Sequence, residues 1–421
     1  MPLLTLVIET PTGTYLRPIR PATVLPTGMG AGDGAEHATR SAAAYWGMPD
    51  FVFRPRQQSR GSASREIGDA ILVVGGMAAS VQVKAREAPS GNDRRERSWL
   101  DTRVAEASRQ ATGTIRRVKS AETVLINQRG KEVSINGPEK TWLPVVVLDH
   151  AGVDDYTPQT DAVVLLRRDW EFLFEQLKST YAVLEYLLRV SRTEPVALGL
   201  EPMRYYEMAA ADAAMPPSPL DPRLASINLT DFGSTPMLPQ APAGHGDQKH
   251  HLLTRAILED IATVPLKADG VTYADLLEVL ACVDSMPVGY RAQLGRVVLE
   301  WFEKLAKLPP NGGITWFFRG MIWQERPYLL IGAANRYSSI LVDALSNFVA
   351  LRHQQHLDVL PERANIMTVG VVLTPRQDGE GWDTTVAAGS GEHVLVDEDR
   401  TILEGLWGRL GEHLVGPGNN L

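Results

Sequence analysis

The chain has 421 residues, of which 44% are hydrophobic and 22% are charged, and this composition is typical of a folded globular protein of two or three domains. The formal net charge of −8 argues against a uniformly polybasic nucleic-acid binder, and the single cysteine, Cys282, excludes an internal disulfide and a cysteine-based zinc site. Since no apolar run reaches the length of a membrane span and the N-terminus lacks signal-peptide features, we expect a cytoplasmic protein without a membrane partner.

The first third of the chain has the pattern of an α/β domain with a mixed sheet, and we place this domain at residues 1–155. One or two short strands precede residue 20. A helix at 35–46 follows, with Asp33 as its predicted N-cap and Glu36 at the capping-box position. Apolar periodicity predicts the next elements as a strand at 51–53, a hairpin at 67–84, a helix at 99–118, and strands at 123–127 and 142–149.

The remainder is predicted to form two further regions. Residues 156–250 hold a strand at 163–166, one long helix at 170–190 and a linker at 215–246 that is rich in Pro, Ala and Ser. Residues 251–421 are predicted to form a helical and α+β domain. Its elements are helices at 251–264, 273–284 and 290–307, a hairpin at 314–333 around Glu325-Arg326, a helix at 338–353, a strand at 366–373 and a helix near 400–413.

The hairpin at 67–84 carries an unusual set of polar residues. A two-residue turn at Gly75-Gly76 would place Asp69 opposite Gln82, with Lys84 one diagonal step away on the same face. Polar groups on an otherwise apolar hairpin are costly unless they bind something. The side-chain oxygens of Asp69 and Gln82 and the carbonyl of Val83 are suitable ligands for Mg²⁺ or Mn²⁺. Lys84 could then assist the attack of a metal-activated water on a phosphodiester.

A basic stretch follows the hairpin directly. Between Lys84 and Lys119 there are ten basic and five acidic residues, although the whole chain is acidic. Such a local patch suits the phosphate backbone of nucleic acid, and the alternative is a solvated helix face. The residues predicted to hold the backbone are Arg86, Arg94, Arg95, Arg97, Arg103, Arg109, Arg116 and Arg117.

Together these features resemble the PD-(D/E)XK nuclease superfamily, in particular its Mrr-like restriction endonuclease and resolvase-like branch. The matching residues, over about residues 30–150, are Glu36 on the first helix, Phe51-Val52-Phe53, Glu66-Ile67-Gly68-Asp69 and Gln82-Val83-Lys84. The resemblance implies a restriction-endonuclease-like α/β/α core with a mixed sheet. It also implies a metal on Asp69, Gln82 and Val83, with Lys84 as the catalytic lysine and Glu36 as an accessory acid. The implied activity is metal-dependent cleavage of nucleic acid, foremost DNA, in restriction or defence against foreign DNA.

Other interpretations remain open at this point. Gln82 is neutral where the superfamily more commonly has glutamate, so the chain could be a decayed, non-cutting relative that serves as a nucleic-acid-binding or protein-interaction scaffold. Glu36 could only cap its helix or pair with Arg40, and Asp69 and Lys84 could form a simple surface ion pair. A homodimer, and a partner protein bound through the C-terminal domain, are further expectations.

Overall fold

The computed structural model describes residues 4–10, 13–54, 58–60, 63–65, 69–151, 153, 155–214, 238–239, 247–265, 271–309, 313–323, 328–360, 367–376, 378, 380–392 and 395–407. The helices are α1 Ala31–Trp46, α2 Asp93–Lys119, α3 Arg167–Leu177, α4 Thr180–Val190, α5 Glu201–Ala214, α6 Gln248–Thr263, α7 Tyr273–Asp284, α8 Val288–Leu305, α9 Ser339–Val359 and α10 Asp397–Trp407. The strands are β1 Leu4–Thr10, β2 Gly13–Ile19, β3 Val52–Arg54, β4 Gln58–Arg60, β5 Ala63–Arg65, β6 Ala70–Val74, β7 Met77–Ala85, β8 Thr123–Asn127, β9 Glu132–Ile135, β10 Thr141–Asp149, β11 Val163–Leu166, β12 Trp316–Met321, β13 Tyr328–Ala334, β14 Met367–Pro375 and β15 Trp382–Ser390. The chain is therefore mixed α/β, and among the described helices none is long and apolar enough to cross a membrane.

The chain divides into two compact units. Unit 1 comprises Met1–Met215, Pro236–Pro242 and Gly270–Val288, and unit 2 comprises Pro216–Thr235, Ala243–Asp269 and Gly289–Leu421. Nearly all of the predicted linker at 215–246 lies outside the described residues.

A seven-stranded mixed sheet in the order β11-β10-β7-β6-β3-β8-β9 organises unit 1. Strands β7, β10 and β11 are parallel, and β6 is antiparallel to β7. Helix α2 covers one face, where its Leu100 and Val104 pack on Val146 and Leu148 of β10. Helices α1 and α4 contact β7, and α3 contacts β10. Since β6 and most of β7 are buried on both sides, these three helices cover the opposite face.

The central hairpin has the register that its turn predicted. Gly75 adopts a φ of +52°, a conformation that glycine tolerates, and Val74 pairs with Met77 across the turn. The same register pairs Ala70 with Val81 at the other end of β6. Ile67 and Gly68, predicted to belong to this strand, lie outside the described residues.

Several predicted helix boundaries are wrong. Helix α1 begins at Ala31 behind Gly30, without a side-chain cap, so Asp33 does not cap it. Helix α2 begins six residues before the predicted start, because the side chain of Asn92 accepts a hydrogen bond from the Arg95 N–H at 3.1 Å. The single helix predicted at 170–190 is two helices, since Lys178 has a φ of +52° and Ser179 caps α4.

Unit 1 extends beyond the predicted boundary at residue 155. Helix α3 packs on α1, and the indole of Trp170 donates a hydrogen bond to the Thr39 carbonyl at 3.0 Å. Helix α7 also belongs to this unit, where Asp284 accepts hydrogen bonds from the Ser179 hydroxyl at 3.0 Å and the Tyr181 N–H at 2.9 Å. Both additions follow from burial, because α1 and the sheet leave apolar surface that later helices cover.

Unit 2 contains a four-stranded sheet in the order β12-β13-β14-β15. Strands β12 and β13 are antiparallel, as predicted for the hairpin at 314–333, while its turn at Glu325-Arg326 lies outside the described residues. Helix α9 packs on β14 and β15. Gly370 allows this approach, because a side chain there would collide with Val349 of α9. This unit is the predicted α+β module, with β15 as an additional strand.

A buried carboxyl in α3 makes the stability of unit 1 depend on pH. Asp169 is fully buried, and burial raises its pKa to about 7 even though Arg168 lies beside it. Because the pKa of Asp169 is higher in the folded chain than in the unfolded chain, protonation of Asp169 stabilises the fold. This stabilisation is complete below about pH 4 and is lost as the pH rises through about 7.

We expect the gain in stability from Asp169→Asn to be larger at pH 8 than at pH 5, because the amide cannot ionise. The difference in free energy of unfolding should reach a few kcal/mol at most, on the order of 1.4 kcal/mol per pKa unit. Urea denaturation at both pH values measures this difference. An equal effect of the substitution at pH 5 and pH 8 would contradict it.

Candidate nuclease site

The hairpin opens at the end that carries Asp69. Strand β6 begins at Ala70 opposite Val81, whereas β7 continues along β10 to Ala85. In the gap, the Asp69 carboxylate accepts a hydrogen bond from the Val83 N–H at 2.5 Å. The N–H and C=O of one strand residue point to the same edge, so the Val83 carbonyl is directed toward this gap as well.

Gln82 and Lys84 share one face of β7. Their neighbours on β10 are Val146 and Leu148, and both of these pack under α2. Side chains on adjacent parallel strands at the same level point to the same face of a sheet, so Gln82 and Lys84 face α2 as well. The sequence alternation predicts this common face for Gln82 and Lys84. The predicted pairing of Asp69 with Gln82 is wrong, because β6 begins only at Ala70 and the Asp69 carboxylate accepts from the Val83 N–H instead.

The two side chains meet different partners there. Gln82 is only 3% exposed, and its amide nitrogen lies 3.4 Å from the Val81 carbonyl. The Lys84 ammonium donates to the side-chain oxygen of Gln110 at 3.0 Å and lies 3.7 Å from a carboxylate oxygen of Glu106. Lys84 is thus held by two side chains of α2.

A short charge network on α2 surrounds that contact. The Arg103 guanidinium donates to the second carboxylate oxygen of Glu106 at 2.6 Å. Arg103, and to a lesser degree Lys84, hold the pKa of Glu106 below its ordinary value, so Glu106 is ionised at neutral pH. Arg103, Glu106 and Gln110 lie on one flank of α2 because they are spaced three and four residues apart.

Arg40 links Glu36 to the site. The Arg40 guanidinium donates to the Asp69 carbonyl at 2.9 Å and lies 3.5 Å from the Glu36 carboxylate. Helix α1 thus contributes a cation next to Asp69 as well as the predicted acid. The Glu36–Arg40 pair is the one that the helical spacing also allowed.

The predicted backbone-binding arginines fall into two groups. Arg86 is held by Glu96 at 3.1 Å and lies over the ring of Trp99, and Arg103 is paired with Glu106. Glu96 also accepts a hydrogen bond from the Ser90 N–H at 2.7 Å and contacts His150 at 2.8 Å, and hydrogen bonds with Ser90, Arg86 and His150 keep the pKa of Glu96 far below its ordinary value. Arg97 is half-buried. The exposed arginines of α2 that make no ion pair within the described part of the chain are Arg94, Arg95, Arg109, Arg116 and Arg117.

The oxygen donors at the gap are compatible with a hard divalent cation. Within the described residues, no group of three or more His, Cys, Asp or Glu side chains is placed to hold a metal ion. Mg²⁺, however, is commonly held by one or two carboxylates together with substrate phosphates, and Asp69 and the Val83 carbonyl can supply the protein part of such a set. Gln82 adds no charge, and its amide is turned toward the backbone.

Sequence reasoning missed Arg40, Glu106 and Gln110 at this site. The helical spacing of α2 placed Glu106 and Gln110 on one flank, but only the packing of α2 on β7 brings that flank to Lys84.

No family model, curated protein or solved structure matches the chain.

Proposed function

We propose that the chain is a metal-dependent nuclease of the PD-(D/E)XK type that hydrolyses phosphodiester bonds at the gap between β6 and β7. One observation carries this proposal. The Asp69 carboxylate accepts a hydrogen bond from the Val83 N–H at the point where β6 and β7 separate, and Lys84 is the next residue of β7. An acid, a backbone carbonyl and a lysine at one such point form a suitable setting for phosphoryl transfer.

Each residue has a distinct role in this proposal. Asp69 and the Val83 carbonyl would hold Mg²⁺ or Mn²⁺, which lowers the pKa of a bound water and neutralises phosphate charge. The Val83 N–H keeps the Asp69 carboxylate oriented. Arg40 holds the Asp69 backbone from the side of α1. Lys84 stabilises negative charge that develops on the phosphate.

Gln82 and Lys84 also favour a second candidate, nucleic-acid binding without cleavage. Gln82 is neutral and buried, and Lys84 is engaged by Glu106 and Gln110 rather than by Asp69. A protein with a decayed site would retain the exposed arginines of α2. Its affinity for nucleic acid would fall with salt, but no cleavage would depend on metal.

Asp69→Asn separates the two candidates. The amide retains an oxygen acceptor for the Val83 N–H but removes the only charge that we assign to the metal. Plasmid, single-stranded DNA and RNA are incubated with the full chain, with and without Mg²⁺ or Mn²⁺. We expect wild-type cleavage only with metal, and a loss of about 100-fold or more in Asp69→Asn. Binding of Mn²⁺ in the presence of an uncleaved oligonucleotide, followed by electron paramagnetic resonance, should weaken in parallel.

The matched control is Asp161→Asn, which removes an exposed carboxylate outside the site. It should cleave and bind Mn²⁺ like the wild type. If no substrate is cleaved under any condition while nucleic acid is bound, the non-cutting candidate replaces the nuclease. If Asp69→Asn cleaves as fast as Asp161→Asn, the site assignment is wrong.

A further inference from the structure

The solvent-facing side of α2 has arginines at both ends and mostly small side chains between them. Arg94 and Arg95 lie in the first turn of this 27-residue helix, and Arg116 and Arg117 lie in the last. All four are exposed. The exposed residues between them on the same side are Ser98, Asp101, Thr102, Ala105, Arg109 and Thr112, and Asp101, the acid among these six, accepts a hydrogen bond from the Tyr156 hydroxyl at 2.9 Å.

The two arginine pairs are aligned along the helix. An α-helix has 3.6 residues per turn, so Arg94 and Arg116 are separated by about six complete turns and project in nearly the same direction. Arg95 and Arg117 are related in the same way. At a rise of 1.5 Å per residue, each pair of equivalent arginines is about 33 Å apart. One turn of B-form DNA is about 34 Å long, so equivalent phosphates of one strand recur at this distance.

Arg109 divides this interval unequally. It lies about 22.5 Å from Arg94 and about 10.5 Å from Arg116 along the axis. The major and minor grooves are about 12 Å and 6 Å wide when measured across the groove, so along the duplex axis they divide one turn of about 34 Å in a ratio of roughly two to one. The longer interval on α2 therefore suits the major groove and the shorter interval suits the minor groove. Three backbone crossings would each meet an arginine.

We propose that α2 lies lengthwise along B-form duplex DNA and contacts three successive backbone crossings within one turn. The crossing at Arg109 lies beside the candidate site, because Glu106 and Gln110 on either side of Arg109 contact Lys84. The small residues between the cations allow close approach to the grooves. This inference deepens the proposed function and rests on it only for what happens to the strand after binding.

Duplex length and the two arginine pairs test this arrangement. Binding of labelled duplexes of about 8, 12 and 16 base pairs is measured by fluorescence anisotropy with EDTA present, which prevents cleavage. We expect affinity to rise at least about tenfold between the 8- and 12-base-pair duplexes, because only the longer one spans a full turn. Arg94→Gln/Arg95→Gln and Arg116→Gln/Arg117→Gln should each abolish this rise. Each should also lower the slope of log affinity against log salt by about two.

Matched controls exclude a general effect of charge. Lys131→Gln/Arg192→Gln removes two exposed cations elsewhere in unit 1 and should bind every duplex like the wild type. An RNA duplex of about 12 base pairs should bind more weakly, because its A-form grooves have different widths. The proposal is overturned if affinity shows no step near one turn, or if the α2 pairs behave like the control pair.

The result also separates this inference from the proposed function. A protein that shows the one-turn step but never cleaves DNA would keep the duplex contact and lose the nuclease. A protein that cleaves nucleic acid through Asp69, yet whose binding is unchanged by the α2 substitutions, would keep the nuclease and lose the duplex contact.

Discussion

Lys84→Ala is expected to reduce the proposed metal-dependent cleavage by about 100- to 1,000-fold, the range found when one donor that stabilises developing negative charge is removed from an enzyme's active site. Lys84 has only 21% of its side chain exposed and lies on β7 one residue beyond Val83, next to the gap that holds Asp69. Affinity for an uncleaved duplex should change by only a few fold, since Lys84 lies on β7 and the exposed arginines of α2 remain. Single-turnover cleavage and anisotropy binding measure the two quantities separately.

Glu106→Gln is the matched comparison for Lys84→Ala. Both substitutions break the Lys84–Glu106 contact at 3.7 Å, but only Lys84→Ala removes the ammonium from the site. If that contact is structural and nothing more, both variants should lose the same amount of stability and cleave alike. We expect Glu106→Gln to cleave within about tenfold of the wild type, because Gln110 still positions Lys84. Equal loss of cleavage in the two variants would remove Lys84 from the mechanism.

The register of the central hairpin could be predicted because a local rule determines it. Two glycines between apolar runs specify a two-residue turn, and the pairing from Val74–Met77 to Ala70–Val81 then follows. The predicted pairing of Asp69 with Gln82 is not formed, because β6 begins at Ala70. The same rule placed Gln82 and Lys84 on one face. The hairpin register does not predict which side chains contact Gln82 and Lys84, because those contacts depend on the packing of α2. Sequence periodicity alone does not specify which face of the sheet α2 covers.

The elements that sequence analysis missed have weak local signals. The break between α3 and α4 contains neither glycine nor proline, and it is fixed by Ser179, whose hydroxyl caps α4 and also donates to Asp284 of α7. Strand β9 has four residues and lies at the edge of the sheet. At the site, helical spacing predicts Arg40 as a partner of Glu36, yet the shorter contact of Arg40 is with the Asp69 backbone. These features depend on residues distant in sequence.

Asp50→Ala is expected to lower the free energy of unfolding of unit 1 by about 3–5 kcal/mol, the usual loss when one partner of a buried ion pair is removed. Asp50 is fully buried in the turn before β3. One carboxylate oxygen accepts from the Tyr273 hydroxyl at 2.6 Å, and the other accepts from the Arg129 guanidinium at 2.6 Å. The Asn127 amide also donates to the Tyr273 hydroxyl at 2.9 Å. Truncating Asp50 leaves a guanidinium and a phenol without their carboxylate.

Loss of the Asp50–Tyr273 hydrogen bond should also loosen the attachment of α7 to the rest of unit 1. Tyr273 is the first residue of α7, whereas Asp50 belongs to the N-terminal part of the chain. Hydrogen exchange in α7 should therefore accelerate in Asp50→Ala more than exchange in β10. Tyr273→Phe removes only the hydroxyl and should cost about 1–2 kcal/mol, with Arg129 still paired. Urea denaturation measures the free energy of unfolding of both variants, and Asp161→Ala, a substitution at an exposed residue, serves as the control. A loss in Asp50→Ala no greater than that in Asp161→Ala would mean that the network contributes nothing to holding α7, and the junction would then depend on apolar contacts such as Leu277 against the sheet.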